Sequence, residues 1–283
     1  MKKIILIILA IFLLFSCNEE EDSGPVYISD AMITGTELSA IDIMSFNIQI
    51  FGRAKSSKLD VMNVIIDIID DYDLIAIQEV RDNTDQSLTT LMAMMPDEYK
   101  IVVGPREGRS RSKEQAIYVY DDNILNVNWS FNFEDPEDVF ERSPFVASFT
   151  TDDGKLTFQI LNNHISPSEA EYEIIELAEA ATEVLTMYEG YTIVVGDLNA
   201  DGSYYKEENL SSVFGEPFEV VIGNEWNTTI GATNNTYDRI IISDELIWLL
   251  DSYGVLYFDD YLPEGLEAKL VSDHYPVWMT LEY

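Results

Sequence analysis

The sequence predicts an α+β fold in which two β-sheets pack face to face and helices cover their outer sides. Apolar runs of strand length alternate with helical patterns, which is typical of layered sheets and helices. The composition stays even from residue 40 to residue 283, and 47% of the chain is hydrophobic. We therefore expect one domain over residues 40–283 that is large enough to bury a substantial core.

The first half of this domain is predicted to be rich in strands. Residues 41–47 and 74–79 are predicted to form apolar strands. Between them, apolar positions at helical spacing predict a helix over 59–69. A second helix is predicted over 86–95. Further strands are predicted over 99–103, 116–120, 127–133, 145–150 and 156–161. The run Asp152-Asp153-Gly154 is typical of a hairpin turn between the last two strands.

The most clearly marked helix is predicted to begin at Ser166 and to end at Gly190. Ser166 supplies an N-cap, Pro167 occupies the first helical position, and Glu169 completes a capping box. Gly190 is a typical residue beyond a helix C-terminus. Strands follow over 191–195, 240–242 and 277–281. The polar residues at the strand ends are expected to converge on one rim of the sheets.

Residues 1–16 are typical of a signal peptide, because Lys2 and Lys3 precede an apolar run that is short for a bilayer span. Residues 14–17 resemble a bacterial lipobox, which implies cleavage before Cys17 and acylation of that residue. An ordinary signal peptide with an incidental cysteine is the alternative. Residues 17–39 are expected to form a flexible acidic tether. We therefore expect an exported monomeric lipoprotein that its lipid anchors to the cell envelope. Which face of the membrane carries the domain stays open.

The chain is strongly acidic, with a formal net charge of −36. This charge disfavours long-range attraction to nucleic acid and suits divalent cations. Cys17 is the only cysteine, which excludes a disulfide within the chain. One basic cluster runs directly into Glu114 and consists of Arg106, Arg109, Arg111 and Lys113. Such a cluster is usually a solvated loop, but its place beside Glu114 favours contact with phosphates.

Polar residues end most of the predicted strands. They are Asn47, Glu79, Glu114, His164, Asp197, Asn199, Asp238, Asp273 and His274. Carboxylate and amide oxygens are the ligands that Mg²⁺ or Ca²⁺ prefers, and the chain lacks the Cys and paired His ligands of a zinc site. The chain has only two histidines, and each alone is compatible with a structural role. Together with the acidic residues, they predict a hard-cation site with an acid/base pair for hydrolysis of phosphate esters.

These motifs resemble those of the endonuclease/exonuclease/phosphatase superfamily, most closely its deoxyribonuclease I (DNase I)-like branch. They occur in the family's order over residues 41–283, at 46–52, 77–82, 196–201, 237–239 and 272–277. The resemblance implies a four-layer α/β/β/α sandwich of two mainly antiparallel sheets flanked by helices. It also implies a metal-dependent endonuclease that hydrolyses DNA with low sequence specificity.

The resemblance implies that His164 and His274 form the acid/base pair at the scissile phosphate. Glu114 would orient His164, and Asp238 would orient His274. One imidazole would activate water and the other would protonate the leaving oxygen, each contributing on the order of 10²–10⁴ in rate. Which histidine has which role stays open.

The resemblance also implies a metal site. Glu79 would hold the divalent cation, with Asn47 and Asp273 nearby. Mg²⁺ is the expected cation, and Ca²⁺ or Mn²⁺ are alternatives. Asp197 and Asn199 would position the phosphate or a second cation.

DNA is the substrate that the resemblance implies. Arg81 and Arg142 match family positions that face DNA, and Arg109 and Arg111 belong to the basic cluster beside the site. Two positions depart from the family. Gln49 stands where relatives usually have an arginine that contacts phosphate, and Ser112 replaces a tyrosine that packs against a sugar.

A further departure concerns Gly202 and Asn235, which occupy positions that are disulfide cysteines in animal relatives. This is consistent with a chain that has a single cysteine. Two alternatives to a nuclease remain open. One is an enzyme of the same superfamily that acts on phospholipid headgroups or small phosphorylated molecules. The other is a surface-displayed binding protein that retains the fold without turnover.

Overall fold

Two six-stranded β-sheets form the centre of the fold in the computed structural model, which describes residues 38–109 and 111–283. The predicted signal peptide, Cys17 and nearly all of the predicted tether lie outside the described residues. Among the residues that are described, no helix has both the length and the apolar character needed to cross a membrane. Residues 38–283 form one compact unit.

The first sheet combines strands from both ends of the described chain. Its members are β1 (Ala40–Phe51), β2 (Leu74–Val80), β3 (Tyr99–Val103), β4 (Gln115–Asp121), β11 (Leu250–Val255) and β12 (Val277–Glu282), in the order β11-β12-β1-β2-β4-β3. β1 and β2 are parallel, and the other neighbours are antiparallel. The parallel pair brings the C-terminal ends of β1 and β2, with Asn47 and Glu79, to the same edge.

The second sheet is formed by the middle of the chain. Its members are β5 (Leu125–Asn132), β6 (Phe145–Thr151), β7 (Thr157–His164), β8 (Tyr191–Asp197), β9 (Phe218–Val220) and β10 (Asp238–Ser243), in the order β5-β6-β7-β8-β10-β9. Only β7 and β8 are parallel among these neighbours. The predicted hairpin at residues 152–154 joins β6 to β7. The prediction of two mainly antiparallel sheets is confirmed.

Helices cover the outer faces of both sheets. They are α1 (Arg53–Ser56), α2 (Leu59–Ile69), α3 (Gln86–Met94), α4 (Ala170–Met187), α5 (Leu210–Phe214) and α6 (Ala268–Val271). Side chains alternate along each strand, so Ile193 and Val195 join the core between the sheets while Val194 packs with the residues of α4. Two apolar clusters result: one includes the core between the sheets together with α2, and the other packs α4 against the second sheet, which confirms the predicted α/β/β/α sandwich.

The structure corrects several element boundaries. α4 begins at Ala170 instead of Ser166, because the Ser166 N–H donates to the Glu173 carboxylate at 3.2 Å and no side chain caps the helix. α4 ends at Met187 instead of Gly190. β10 begins at Asp238, two residues before its predicted start, because Asp238 pairs with β8. The strands β9 and β11 and the helices α1, α5 and α6 are not among the predicted elements.

Candidate active site

The candidate site lies where strand ends of both sheets meet. His164 ends β7 and Asp197 ends β8, and the parallel pairing places these two residues in register. Asp238 begins β10 directly opposite Asp197. Asn47 and Glu79 lie near the ends of β1 and β2 in the facing sheet. The topology therefore delivers the predicted polar residues to one edge of the sandwich.

Gly196 allows β7 and β8 to approach closely just before they reach the site. Its φ is +138°, and a Cβ there would lie 1.8 Å from the carbonyl oxygen of Asn163. Only glycine fits such a backbone contact at a positive φ without strain. The next pair along the strands is His164 with Asp197, so this glycine sets the spacing of two site residues.

Glu114 holds the ring of His164. Its Oε2 lies 3.2 Å from His164 Nδ1, and the carboxylate is buried. Two guanidinium groups share this carboxylate: Arg142 Nη1 is 2.8 Å from Oε1, and Arg81 Nε is 3.7 Å from Oε2. Burial raises the pKa of Glu114, but His164 and the two arginines lower it to about 2. Burial and Arg142 lower the pKa of His164, but its contact with Glu114 raises it more, so the net direction is up.

Asp238 holds the ring of His274. Its Oδ2 lies 2.7 Å from His274 Nδ1, and Asp238 is fully buried. The Asp238 N–H donates to Thr228 Oγ1 at 3.1 Å, and the His274 N–H donates to Ser272 Oγ at 3.0 Å. Burial lowers the pKa of His274, but the charges of Asp238 and Asp197 raise it to about 10. The neighbouring carboxylates therefore favour the protonated form of this ring.

Asp197 joins the two imidazoles. Its Oδ2 lies 3.5 Å from Nε2 of His164 and 3.5 Å from Nε2 of His274. Asn47 Nδ2 donates to the same oxygen at 2.9 Å, and the Asn199 N–H donates to Oδ1 at 3.1 Å. Each imidazole thus has its own carboxylate behind the ring and faces a shared carboxylate in front of it.

The donor set fits a hard divalent cation. Asn47 Nδ2 donates to Glu79 Oε1 at 3.3 Å, so two predicted ligands lie together. Asp273 Oδ1, 3.8 Å from His274 Nε2, is buried without a hydrogen-bond partner among the described residues. Mg²⁺ or Ca²⁺ would satisfy such an oxygen. In the described ranges, two groups have ligand atoms within 4.8 Å of one another: Glu79, Glu114 and His164 in one, and Asp197, Asp238 and His274 in the other.

Backbone strain is concentrated at the site. The non-glycine residues with positive φ there are Gln49 (26°), Ile50 (51°), Glu79 (62°) and Asn199 (48°). Such values are unusual, most of all for a β-branched residue such as Ile50. Hydrogen bonds hold the conformation, because the Gln49 N–H donates to Asn47 Oδ1 and the Ile50 N–H donates to Glu79 Oε2, both at 2.9 Å. The strained bulge therefore aims both predicted ligands.

The predicted DNA-contacting arginines are placed unequally. Arg81 and Arg142 lie inside the site, where both pair with its carboxylates. Arg109 instead pairs with two acidic side chains of the loop over residues 135–141. Arg111 is exposed in the basic loop. Arg81 and Arg142 thus have structural partners in the site, and the two exposed arginines of the basic loop differ in that Arg109 is engaged by acidic side chains.

Some residues that hold the site are missed by sequence reasoning. Lys55 Nζ donates to the carbonyls of Ile48 and Val271 at 3.0 and 2.7 Å, so it ties β1 to the end of α6. Ser272 Oγ donates to the Asn47 carbonyl at 2.6 Å. Ser272 lies within the motif over residues 272–277, so the sequence offers a signal by which it could be found. Lys55 gives no local signal, because a lysine beyond a strand is usually solvated.

Hydrogen bonds close the loop that follows Asn199. Asp201 Oδ2 accepts the N–H of Thr236 at 2.7 Å. A Cβ on Gly202 would lie 3.1 Å from Asn235 Oδ1, so the two segments touch at these positions. The loop is therefore fixed to the segment that leads into Asp238.

The fold and the site together define a class of protein, the phosphoester hydrolases built on an α/β/β/α sandwich with a metal-binding carboxylate cluster and two imidazoles. The chain belongs to the Endonuclease/Exonuclease/phosphatase family, whose model matches residues 44–274. DNase I-like enzymes of this family depend on a divalent metal, and the acidic and histidine groups of the site agree with that requirement. The resemblance seen in the motifs is thus confirmed.

Known relatives support the same family. Deoxyribonuclease-1 of Gallus gallus is 31% identical over 262 residues, which cover 86% of this chain and 93% of the relative. Deoxyribonuclease gamma of Homo sapiens is 30% identical over 263 residues, which cover 86% of each chain. A mannosyl-6-phosphatase of Bacteroides thetaiotaomicron superposes with a TM-score of 0.62 at 18% identity, over 84% of this chain and 98% of that one. The last likeness concerns the fold alone.

Proposed function

We propose that the protein is a divalent-metal-dependent endonuclease that hydrolyses DNA phosphodiester bonds with low sequence specificity. The arrangement of His164 and His274 carries this proposal, because each has a carboxylate behind Nδ1 and each directs Nε2 to the same oxygen of Asp197 at 3.5 Å. Phosphodiester hydrolysis needs one group that takes a proton from water and one that gives a proton to the leaving oxygen. The similarity to deoxyribonucleases favours DNA as the polymer.

We infer the two roles from the charges around the two rings. Glu114 is shared with two guanidinium groups, so Arg142 weakens the protonation of His164 although Glu114 raises its pKa on balance. Asp238 has no cationic partner other than His274 within 4.0 Å among the described residues. His164 therefore accepts the proton of the attacking water, and His274 donates a proton to the leaving 3′-oxygen.

The remaining site residues would bind the cation and position the phosphate. Glu79 would hold Mg²⁺ with Asn47 and Asp273 at hand, and Ca²⁺ or Mn²⁺ would fit the same oxygen donors. When bound, the cation would stabilise negative charge on the phosphate oxygens. Asn199 fixes the carboxylate of Asp197 through its backbone N–H.

Plasmid nicking by the purified protein in Mg²⁺ and Ca²⁺ tests the proposal. We expect nicking that EDTA abolishes, and a loss on the order of 10²–10⁴ in His164→Ala and in His274→Ala. A p-nitrophenyl phosphodiester has a leaving group that needs no proton, so His274→Ala should lose far less on it than on DNA. His164→Ala should lose equally on both. The absence of nicking, with no difference from His164→Ala, would reject the proposal.

A second candidate is a phosphodiesterase or phosphatase of the same superfamily that acts on phospholipid headgroups or small phosphorylated molecules. The formal net charge of −36 favours it, because an acidic surface repels a polyanion. A panel of DNA, phospholipids and phosphorylated sugars separates the candidates by kcat/KM. Tight binding of Mg²⁺ and DNA without hydrolysis would instead favour a binding protein.

We also propose that the protein is exported, anchored to the cell envelope by a lipid on Cys17, and monomeric. The charged and apolar residues of 1–16 and the lipobox-like run over 14–17 support the anchor. Labelling of cells with a radioactive fatty acid should label the wild type and not Cys17→Ser. An unlabelled wild type would reject the anchor, and a dimer in sedimentation experiments would reject the monomer.

A further inference from the structure

Glu173 is a buried carboxylate near the start of α4 that the two imidazoles do not contact. Its side chain is inaccessible to solvent. Burying a carboxylate is unfavourable unless hydrogen bonds compensate it. Its Oε1 accepts the backbone N–H of Glu141 at 3.0 Å, and its Oε2 accepts the backbone N–H of Ser166 at 3.2 Å. Both oxygens are thus bonded to the backbone of loops outside the helix.

These two loops carry the groups that hold His164. Glu141 directly precedes Arg142, whose Nη1 lies 2.8 Å from Glu114 and whose Nε donates to the His164 carbonyl at 2.7 Å. Ser166 follows His164 by two residues. One carboxylate therefore spans the segment that supplies the arginine and the segment that supplies the imidazole.

We propose that Glu173 is a positioning residue that sets the orientation of His164 toward Glu114. Its direct effect is on one imidazole, because the pairing of Asp238 with His274 is made by β10 and the segment before β12. The consequence for the reaction rests on the proposed nuclease function. The consequence for the ring of His164 does not.

Two substitutions and one control on the same helix test this role. Glu173→Gln has one acceptor oxygen and an NH₂ group, so one backbone N–H loses its acceptor and meets a donor. Glu173→Asp keeps the charge but withdraws both oxygens by about 1.5 Å, the length of one C–C bond. Glu179→Gln is the matched control, because Glu179 is exposed on α4.

The two histidines of the chain provide a direct readout. NMR of the imidazole Cε1–H groups, in protein purified without a histidine tag, gives one signal for each ring, and His274→Ala assigns them. We expect Glu173→Gln and Glu173→Asp to change the chemical shift and the titration of His164 more than those of His274, which senses His164 only through Asp197. Glu179→Gln should change neither ring.

Kinetics provide the second readout. We expect kcat on DNA to fall by about 10²-fold in Glu173→Gln, because a misplacement of about 1 Å at a reacting group has such an effect. KM should stay near the wild-type value, and Glu173→Asp should lie between the two. Unchanged His164 signals, or equal shifts in both rings, would overturn the proposal. If Glu173→Gln does not fold, the same measurements on Glu173→Asp decide the question. A His164 shift in a protein without nuclease activity would reject the nuclease function and keep the positioning role.

Discussion

Replacing Gly196 by alanine tests whether the approach of β7 to β8 sets the geometry of the site. The φ of +138° is unfavourable for alanine, and the new Cβ would lie 1.8 Å from the Asn163 carbonyl oxygen. Real Cβ contacts stay above 3.0 Å, so the strands must separate by at least 3.0 − 1.8 = 1.2 Å. His164 and Asp197 are the next pair in register, so the separation displaces them relative to each other.

Two effects contribute to the expected loss of stability. A left-handed backbone costs about 1–2 kcal/mol for a residue with a Cβ. Overpacking of a filled interior costs about 1–3 kcal/mol more. We therefore expect the free energy of unfolding to fall by about 2–5 kcal/mol. Nicking activity should fall by about 10²-fold, because the displacement is of the order of 1 Å at the reacting groups.

Urea unfolding followed by tryptophan fluorescence measures the stability change, with Gly154→Ala as the matched control. Gly154 also has a positive φ, +73°, but no atom lies within 4 Å of its Cβ position, so only the backbone term applies there. Gly154→Ala should lose about 1–2 kcal/mol and retain full activity. If Gly196→Ala loses no more stability than Gly154→Ala, or retains full nicking activity, then the strands accept a Cβ without moving the site.

Three further predictions concern charge. Asp238→Asn keeps the shape but removes the charge behind His274, so kcat in nicking assays should fall by about 10²–10⁴. An unchanged kcat would contradict the acid role of that imidazole. Burial raises the pKa of Asp73 from about 3.8 to about 6, so its contribution to stability is complete below about 3.8 and is lost as the pH rises to about 6. Asp73→Asn should therefore gain roughly 1 kcal/mol at pH 7, allowing for partial exposure, and little at pH 4, as urea unfolding at both values would measure. Arg111→Ala should reduce the slope of log Kd for DNA against log salt by about 1, and Arg109→Ala should reduce it less because acidic side chains pair with it.

The sequence predicts the buried elements well and the edges poorly. The strands over residues 74–80 and 191–197 are almost continuously buried, so their apolar runs are unmistakable. β9 has only three residues, and β11 is an edge strand whose residues are mostly polar or partly exposed. The predicted start of α4 is wrong for another reason. Ser166 makes a tertiary contact with Glu173, and this contact displaces the local capping box.

The sequence also predicts which polar residues matter better than how they meet. The motifs identify His164, Asp197 and His274, but the place of Asp197 between the two rings arises from strand pairing and sheet packing. No local sequence pattern predicts the distance between Asp197 and each of the two rings. Glu173 has no signal either, because an acidic residue in an amphipathic helix is usually solvated. Its burial depends on loops from other parts of the chain.

The closure between Asp201 and Thr236 has a consequence for where the protein can work. The loop is fastened by a hydrogen bond of 2.7 Å from the Thr236 N–H to Asp201, and the single cysteine of the chain, Cys17, has no partner for a disulfide there. Glutathione and thioredoxin therefore have no disulfide bond to reduce in this loop. The cleft should keep its shape in reducing surroundings, and the domain can reach its native form without any oxidative folding catalyst.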